Sequence, residues 1–212
     1  MYIPKRYEEK DRASILAFMR VNSFGILVTS APDRPVATHL PLLVTEEGSD
    51  LFLVGHISKG NDQKHTFIPG AQVLAIFPGP HAYISPRWYT EMNVPTWNYL
   101  SVHVYGTLEV MEGDALEAAV STMVDHYEQH MPHPVHVREI PEKTFRDDLR
   151  GIVGFRIRVT ELQAAAKLSQ NRDDESYHNV VKQLENSEDP SARDVATAMR
   201  ERKPGDFSTF MP

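Results

Sequence analysis

The chain contains no cysteine. That excludes disulfides, thiolate zinc sites, iron–sulfur clusters, a cysteine nucleophile and thiolate-ligated haem. Any redox chemistry therefore needs a borrowed cofactor. An excess of positive charge is also missing: 22 Lys and Arg stand against 29 Asp and Glu, a net charge of −7 with histidine neutral. A protein whose main task is to grip a phosphate backbone carries the opposite balance. Long apolar runs are absent too. The longest stretch free of Asp, Glu, Lys and Arg, His65 to Pro86, contains Pro69, Pro78, Pro80 and Pro86, too many for a membrane-spanning helix. Met1–Asp11 is polar with no apolar segment behind it, so a signal peptide is not expected and a cytoplasmic location is. The glycine spacings of the Rossmann and P-loop motifs do not occur, and Ser58 sits one place off the serine-hydrolase elbow.

What is there suits a packed domain. The 212 residues are 41% hydrophobic and 24% charged, enough to bury a core. Helical periodicity predicts a helix over Glu9–Val21, with Ile15, Leu16 and Met19 on one face. Short apolar runs follow at Phe24–Thr29, Val36–Val44, Leu51–Gly55, Val73–Phe77 and His81–Ser85, separated by turn residues such as Pro32-Asp33-Arg34-Pro35 and Pro78-Gly79-Pro80. Tyr99–Met111 alternates, with Val102, Val104, Gly106, Leu108 and Val110 on one face. About six short strands before Met111 predict an antiparallel sandwich or barrel rather than a βαβ array. Further expectations are a helix at Asp114–His130, a strand at Ile152–Leu162, helices at Asp173–Glu185 and Ser191–Arg202, and a loose tail at Phe207–Pro212. The fold class is mainly β with peripheral helices (α+β).

Four segments carry polar or aromatic chemistry. Thr38 and His39 interrupt the apolar strand Ala37-Thr38-His39-Leu40. The loop Gly55–Gln63, GHISKGNDQ, combines a hydroxyl, an ammonium and glycine, which suits an anion such as phosphate. Both tryptophans and four tyrosines lie within Tyr83–Tyr105, a composition that can line a pocket for a planar ring. Lys167-Leu168-Ser169-Gln170-Asn171 forms a polar run after the last strand.

Two other patterns are set aside. His126, His130, His133 and His136 are dense, but Pro132 and Pro134 break their helix and no carboxylate completes a ligand set, so no metal site is expected. From Arg172 to Lys203, six Lys and Arg face eight acidic residues, the wrong balance for a DNA-reading helix pair. A packing or dimerisation appendage is the reading instead.

GPHAYISPRWY from Gly79, VPTWNY from Val94, VHVYG from Val102 and KLSQN from Lys167 resemble, in order and spacing, the PaiB-type FMN-binding family of negative transcriptional regulators. The resemblance covers nearly the whole chain. It implies a six-stranded antiparallel FMN-binding split barrel, a homodimer, and non-covalent FMN at the subunit interface. Carried over by position, it puts Thr38, His39, Ser58, Lys59, Asn61 and Gln63 on the phosphate side. It sets Trp97, Asn98, Lys167, Ser169, Gln170 and Asn171 near the flavin. The family loop reads like GHxARANPQ; here Lys59 replaces the arginine and Asp62 the proline. Ala164-Ala165-Ala166 stands where the family tends to have Gly-Lys.

A flavin-binding domain over 1–171 with a helical appendage over 172–212 is the expected division. The implied activities are flavin-dependent redox chemistry, haem binding or degradation, or non-catalytic regulation without direct DNA contact. His39, His81 and Tyr83 are candidate proton donors, and no spacing singles one out as catalytic.

Overall fold

The computed structural model describes residues 1–202. The expected tail at Phe207–Pro212 lies outside the described residues, as does the end of the appendage. In chain order the elements are β1 (Glu8–Glu9), α1 (Arg12–Val21), β2 (Phe24–Ser30), β3 (Pro35–Pro41), β4 (Leu43–Glu47) and β5 (Asp50–Ser58). They continue with β6 (Gln72–Ile84), β7 (Thr96–Met111), α2 (Gly113–Glu128), α3 (Glu142–Arg150), β8 (Ile152–Lys167), α4 (Asp174–Glu185) and α5 (Pro190–Glu201). The mainly β class with helices holds, with eight described strands rather than six. Among the described residues, no helix is long and apolar enough to cross a membrane.

The residues group into two compact units. One comprises Met1–Ile15, Pro78–His103 and the described residues from Gln163 on; the other comprises Leu16–Phe77 and Val104–Leu162. In the second unit the strand order is β3-β2-β6-β7-β8-β5-β4. Every pairing with a defined register is antiparallel, from Phe24↔Pro41 between β2 and β3 to Ser58↔Ile152 between β5 and β8. Alternation puts Leu27, Leu53, Phe77, Leu108, Phe155 and Ile157 in the interior. Gly106 allows close packing: a β-carbon there would press on the Arg158 carbonyl oxygen and the Ile157 side chain. The two-residue turn joining β4 to β5 uses the positive φ of Gly48.

In the first unit, β1 extends the sheet beside the end of β8, with Glu8↔Ala165 and Glu9↔Ala164. The apolar faces of α4 and α5 pack with Ala82, Ile84, Tyr89 and Leu168 in one buried cluster. Asp173 and Asp189 cap the two helices, accepting from the Ser176 and Ser191 amides at 2.8 and 2.9 Å. The Tyr177 hydroxyl donates to the Met199 carbonyl at 2.7 Å and ties the helices together.

Several boundaries differ from the sequence expectation. The run Val36–Val44 is two strands, because the chain leaves β2 at Pro41 and joins β5 from Leu43. Val73–Phe77 and His81–Ser85 form one strand through Pro78-Gly79-Pro80. Pairing of β6 with β2 covers only Leu74–Ile76, so those prolines owe β2 no N–H. The strand expected at Ile152–Leu162 runs on through the three alanines to Lys167, and β1 pairs with Ala164 and Ala165. Glu9 belongs to β1, and the first helix starts at Arg12. Helix α3, whose one buried residue is Phe145, lies outside the sequence expectation.

Candidate functional site

The twelve sequence-predicted residues fall six to each unit. In the second unit, period two sends Thr38 and His39 to opposite faces of β3. Thr38 is half-buried, and its Oγ1 accepts from Asn61 Nδ2 at 2.8 Å. Asn61 also caps the short turn Asp62–Thr66, its Oδ1 accepting from the Gln63 amide at 2.9 Å. Gln63 is buried. Its Nε2 donates to the Leu27 carbonyl at 3.1 Å and to Thr29 Oγ1 at 3.0 Å, while its Oε1 has no partner among the described residues. Thr38, Asn61 and Gln63 are thus brought together: Gln63 braces the loop from below, and Asn61 links it to β3.

The other three are placed differently. His39 is exposed and stacks on Phe24, with centroids 6.4 Å apart. Ser58, at the end of β5, is exposed and accepts from the Gly60 amide at 3.1 Å. The Lys59 amide donates to the Gly151 carbonyl at 2.8 Å, and its residue lines a cleft of about 430 Å³ with Glu112, Asp114, Glu117, Arg146 and Arg150. Asp114 and Glu117 come from α2, and Arg146 and Arg150 from α3, a helix outside the sequence expectation.

In the first unit, Asn98 and Ser169 are a buried pair: Asn98 Nδ2 donates to Ser169 Oγ at 2.9 Å. Ser169 has φ +62, a left-handed conformation that this pairing holds. The side chain of Gln170 folds back on its own strand, accepting from the Leu168 amide at 2.7 Å and donating to the Ala166 carbonyl. These three residues hold the turn. Lys167 donates to Thr96 Oγ1. Burial, and then the nearby Arg172 charge, lower its pKa. Asn171 is exposed and accepts from the Tyr7 hydroxyl at 3.2 Å. Trp97 is 53% exposed and meets the edge of Tyr83, with centroids 5.9 Å apart, and the His81 ring at 6.1 Å. Tyr7 and Arg172 escaped the sequence reading, because neither stands in an aromatic motif and 165 positions separate them.

In the histidine cluster, His130 and His133 are exposed, His126 and His136 are half-buried, and His136 Nδ1 lies 3.3 Å from Asp125 Oδ1.

Solved structures with this arrangement place the chain in a class. The FAD and heme binding protein from Mycobacterium smegmatis matches with a TM-score of 0.57 and 16% identity, over 76% of this chain and 73% of its own. The flavocytochrome Anf3 from Azotobacter vinelandii matches with a TM-score of 0.52 and 15% identity, over 81% and 75%. At such identities the likeness concerns the fold, and it defines a split-barrel protein. The family follows from sequence. The family described as "Putative FMN-binding domain" matches residues 1–161, and the chain belongs to it. The protease synthase and sporulation protein PAI 2 of Bacillus subtilis is 44% identical over 202 residues, 95% of this chain and 98% of its own. An uncharacterized protein of Saccharomyces cerevisiae is 28% identical over 168 residues, 68% of this chain and 99% of its own. The PaiB-type resemblance therefore stands, with FMN as the cofactor.

The donor chemistry of the loop is compatible with that cofactor. A phosphate monoester is an acceptor-rich anion. Thr38 and Ser58 each use an oxygen to accept, which leaves both hydroxyl hydrogens to donate. Lys59 has no ion pair among the described residues.

Proposed function

We propose that Thr38, Ser58 and Lys59 hold the phosphate of non-covalent FMN, on a loop positioned by Asn61 and Gln63. The carrying observation is the Thr38–Asn61 bond, which couples the strand to a loop whose remaining hydroxyls and ammonium are donors. FMN supplies hydride and single-electron chemistry when bound. The chain's residues orient it and shape its electrostatics. His39 belongs to the same proposal as a ligand on the outer face of β3. Trp97, with Asn98, Lys167, Ser169, Gln170 and Asn171, is assigned to the flavin surroundings. The buried Asn98, Ser169 and the folded-back Gln170 act there by fixing the turn. A cytoplasmic homodimer with flavin-dependent redox activity completes the reading. The proposal keeps a flavin domain over 1–171 and an appendage from 172, whose helices α4 and α5 pack by their apolar face with Ala82, Ile84, Tyr89 and Leu168.

The test is the visible spectrum of the freshly purified protein, followed by FMN titration of wild type and Lys59→Ala. Wild type is expected to be yellow, or to gain a flavin spectrum on titration, and to oxidise NAD(P)H. Losing one charge-assisted contact of about 1.5–3 kcal/mol weakens FMN by about 10- to 150-fold. A colourless wild type that takes up no FMN overturns the reading. Unchanged affinity in Lys59→Ala removes that residue from the site.

A regulatory role is the second reading. It is supported by the 44% identity to a protein named for protease synthesis and sporulation. The net charge of −7 favours action without direct DNA contact. Specific retention of upstream DNA at physiological salt would refute that second clause.

A further inference from the structure

The end of β8 and the turn after it present two cations, Lys167 and Arg172. Lys167 and Arg172 have no carboxylate partner among the described residues. They are close enough for the Arg172 charge to disfavour the charged form of Lys167. The Arg172 guanidinium lies 4.0 Å from the centre of the Tyr89 ring, and the Lys167 ammonium 6.0 Å from that of Tyr7. Tyr89 is 9% exposed, and its hydroxyl is buried with no hydrogen-bond partner among the described residues. A buried donor without an acceptor is uncommon and calls for an explanation.

The turn itself is rigid. The Arg172 amide donates to the Ser169 carbonyl at 3.0 Å, and Ser169 is locked by Asn98. Two like charges on a fixed turn repel each other, and an anion between them removes the repulsion. An oxyanion would also complete the unused phenol and the five-donor fork of Arg172.

We propose that Lys167, Arg172 and the Tyr89 hydroxyl form a subsite for the carboxylate or phosphate group of a small-molecule ligand. Its use as a substrate anchor rests on the flavoprotein reading, whereas anion binding by this cluster does not. Tyr7 walls the subsite, and its hydroxyl is already engaged with Asn171.

The test is calorimetric titration of the full chain with inorganic phosphate and, separately, with succinate. Wild type, Arg172→Gln, Arg172→Lys and Tyr89→Phe are compared, and FMN titrations run in parallel. Wild type is expected to bind at least one anion at a single site. Arg172→Gln weakens it at least tenfold, Arg172→Lys restores part of the loss, and Tyr89→Phe weakens it severalfold while keeping the ring. FMN affinity stays within twofold in all three variants. No anion binding by wild type, or equal binding by wild type and Arg172→Gln, overturns the proposal. A parallel fall in FMN affinity also overturns it, by assigning these cations to the flavin's own phosphate. Failure of the flavin reading shows instead as absent FMN binding with the anion titration intact. Urea unfolding of each variant separates loss of fold from loss of the subsite.

Discussion

Gln63→Leu tests the idea that the loop is braced from beneath. The substitution roughly keeps the volume and removes the amide. Two good hydrogen bonds disappear, to the Leu27 carbonyl at 3.1 Å and Thr29 Oγ1 at 3.0 Å. A weaker one to the Val36 carbonyl at 3.4 Å goes with them. Thr29 keeps the Thr66 hydroxyl at 2.7 Å, and Leu27 lies on a strand paired on both sides, so neither acceptor is left bare. The lost bonds are worth about 1 kcal/mol each. Removing Oε1, buried with no partner among the described residues, offsets part of this. The net expectation is about 1–2 kcal/mol of destabilisation. For a chain of this size that lowers the melting temperature by about 2–8 °C. Urea denaturation followed by far-ultraviolet circular dichroism, without added FMN, measures it. The Gln63 amide remains for Asn61 to cap, so the turn survives and FMN affinity falls only modestly. A loss below about 0.5 kcal/mol would refute the bracing role, because that is the range of a neutral surface change.

Gly106→Ala should cost about 1–3 kcal/mol or more in the same assay, because the new carbon meets the Arg158 backbone rather than a side chain that can swing away. Gly60→Ala is the control: its β-carbon meets only Ser58 Oγ, at 3.5 Å, and little change is expected. If the two variants lost the same stability, the close approach of β7 and β8 would not be the cause. For Tyr177, burial pushes the phenol up to about 12 from 10.0. A folded pKa above the unfolded one gives stability that is present below pH 10 and is lost as pH rises from about 10 through 12. Tyr177→Phe should lose about 1–2 kcal/mol at pH 7, from the bond to Met199, and show a flatter decline above pH 10. Parallel wild-type and variant profiles above pH 10 would contradict it.

Much of the fold was legible because its strands keep one face wet. The alternation of Val102, Val104, Gly106 and Leu108 marked β7, and the periodicity after Asp173 marked α4 and α5. Where local signals conflict with pairing, pairing prevailed. Proline and glycine mark a turn locally, yet Pro78-Gly79-Pro80 runs straight where no β2 strand needs its N–H groups. Alanine has no strand preference, yet Ala164 and Ala165 are strand because Glu9 and Glu8 pair with them.

The candidate site divides in the same way. Thr38 and the loop from Ser58 to Gln63 stood out by residue type, because hydroxyls, an amide and an ammonium in an apolar setting are costly unless used. Which of them meet was not legible: β3 alternation joins Thr38, not His39, to Asn61, and burial makes Gln63 a brace. By itself the amino-acid sequence determined the chemistry available: no thiol, a negative net charge, aromatic motifs and one phosphate-suited loop. Only the tertiary structure decided the partners. It set Arg172 over Tyr89 and Asn98 against Ser169 across 83 and 71 positions of chain, respectively. Such contacts depend on which strands and turns the sheet brings within a few ångströms, and local residue preference carries no record of that distance.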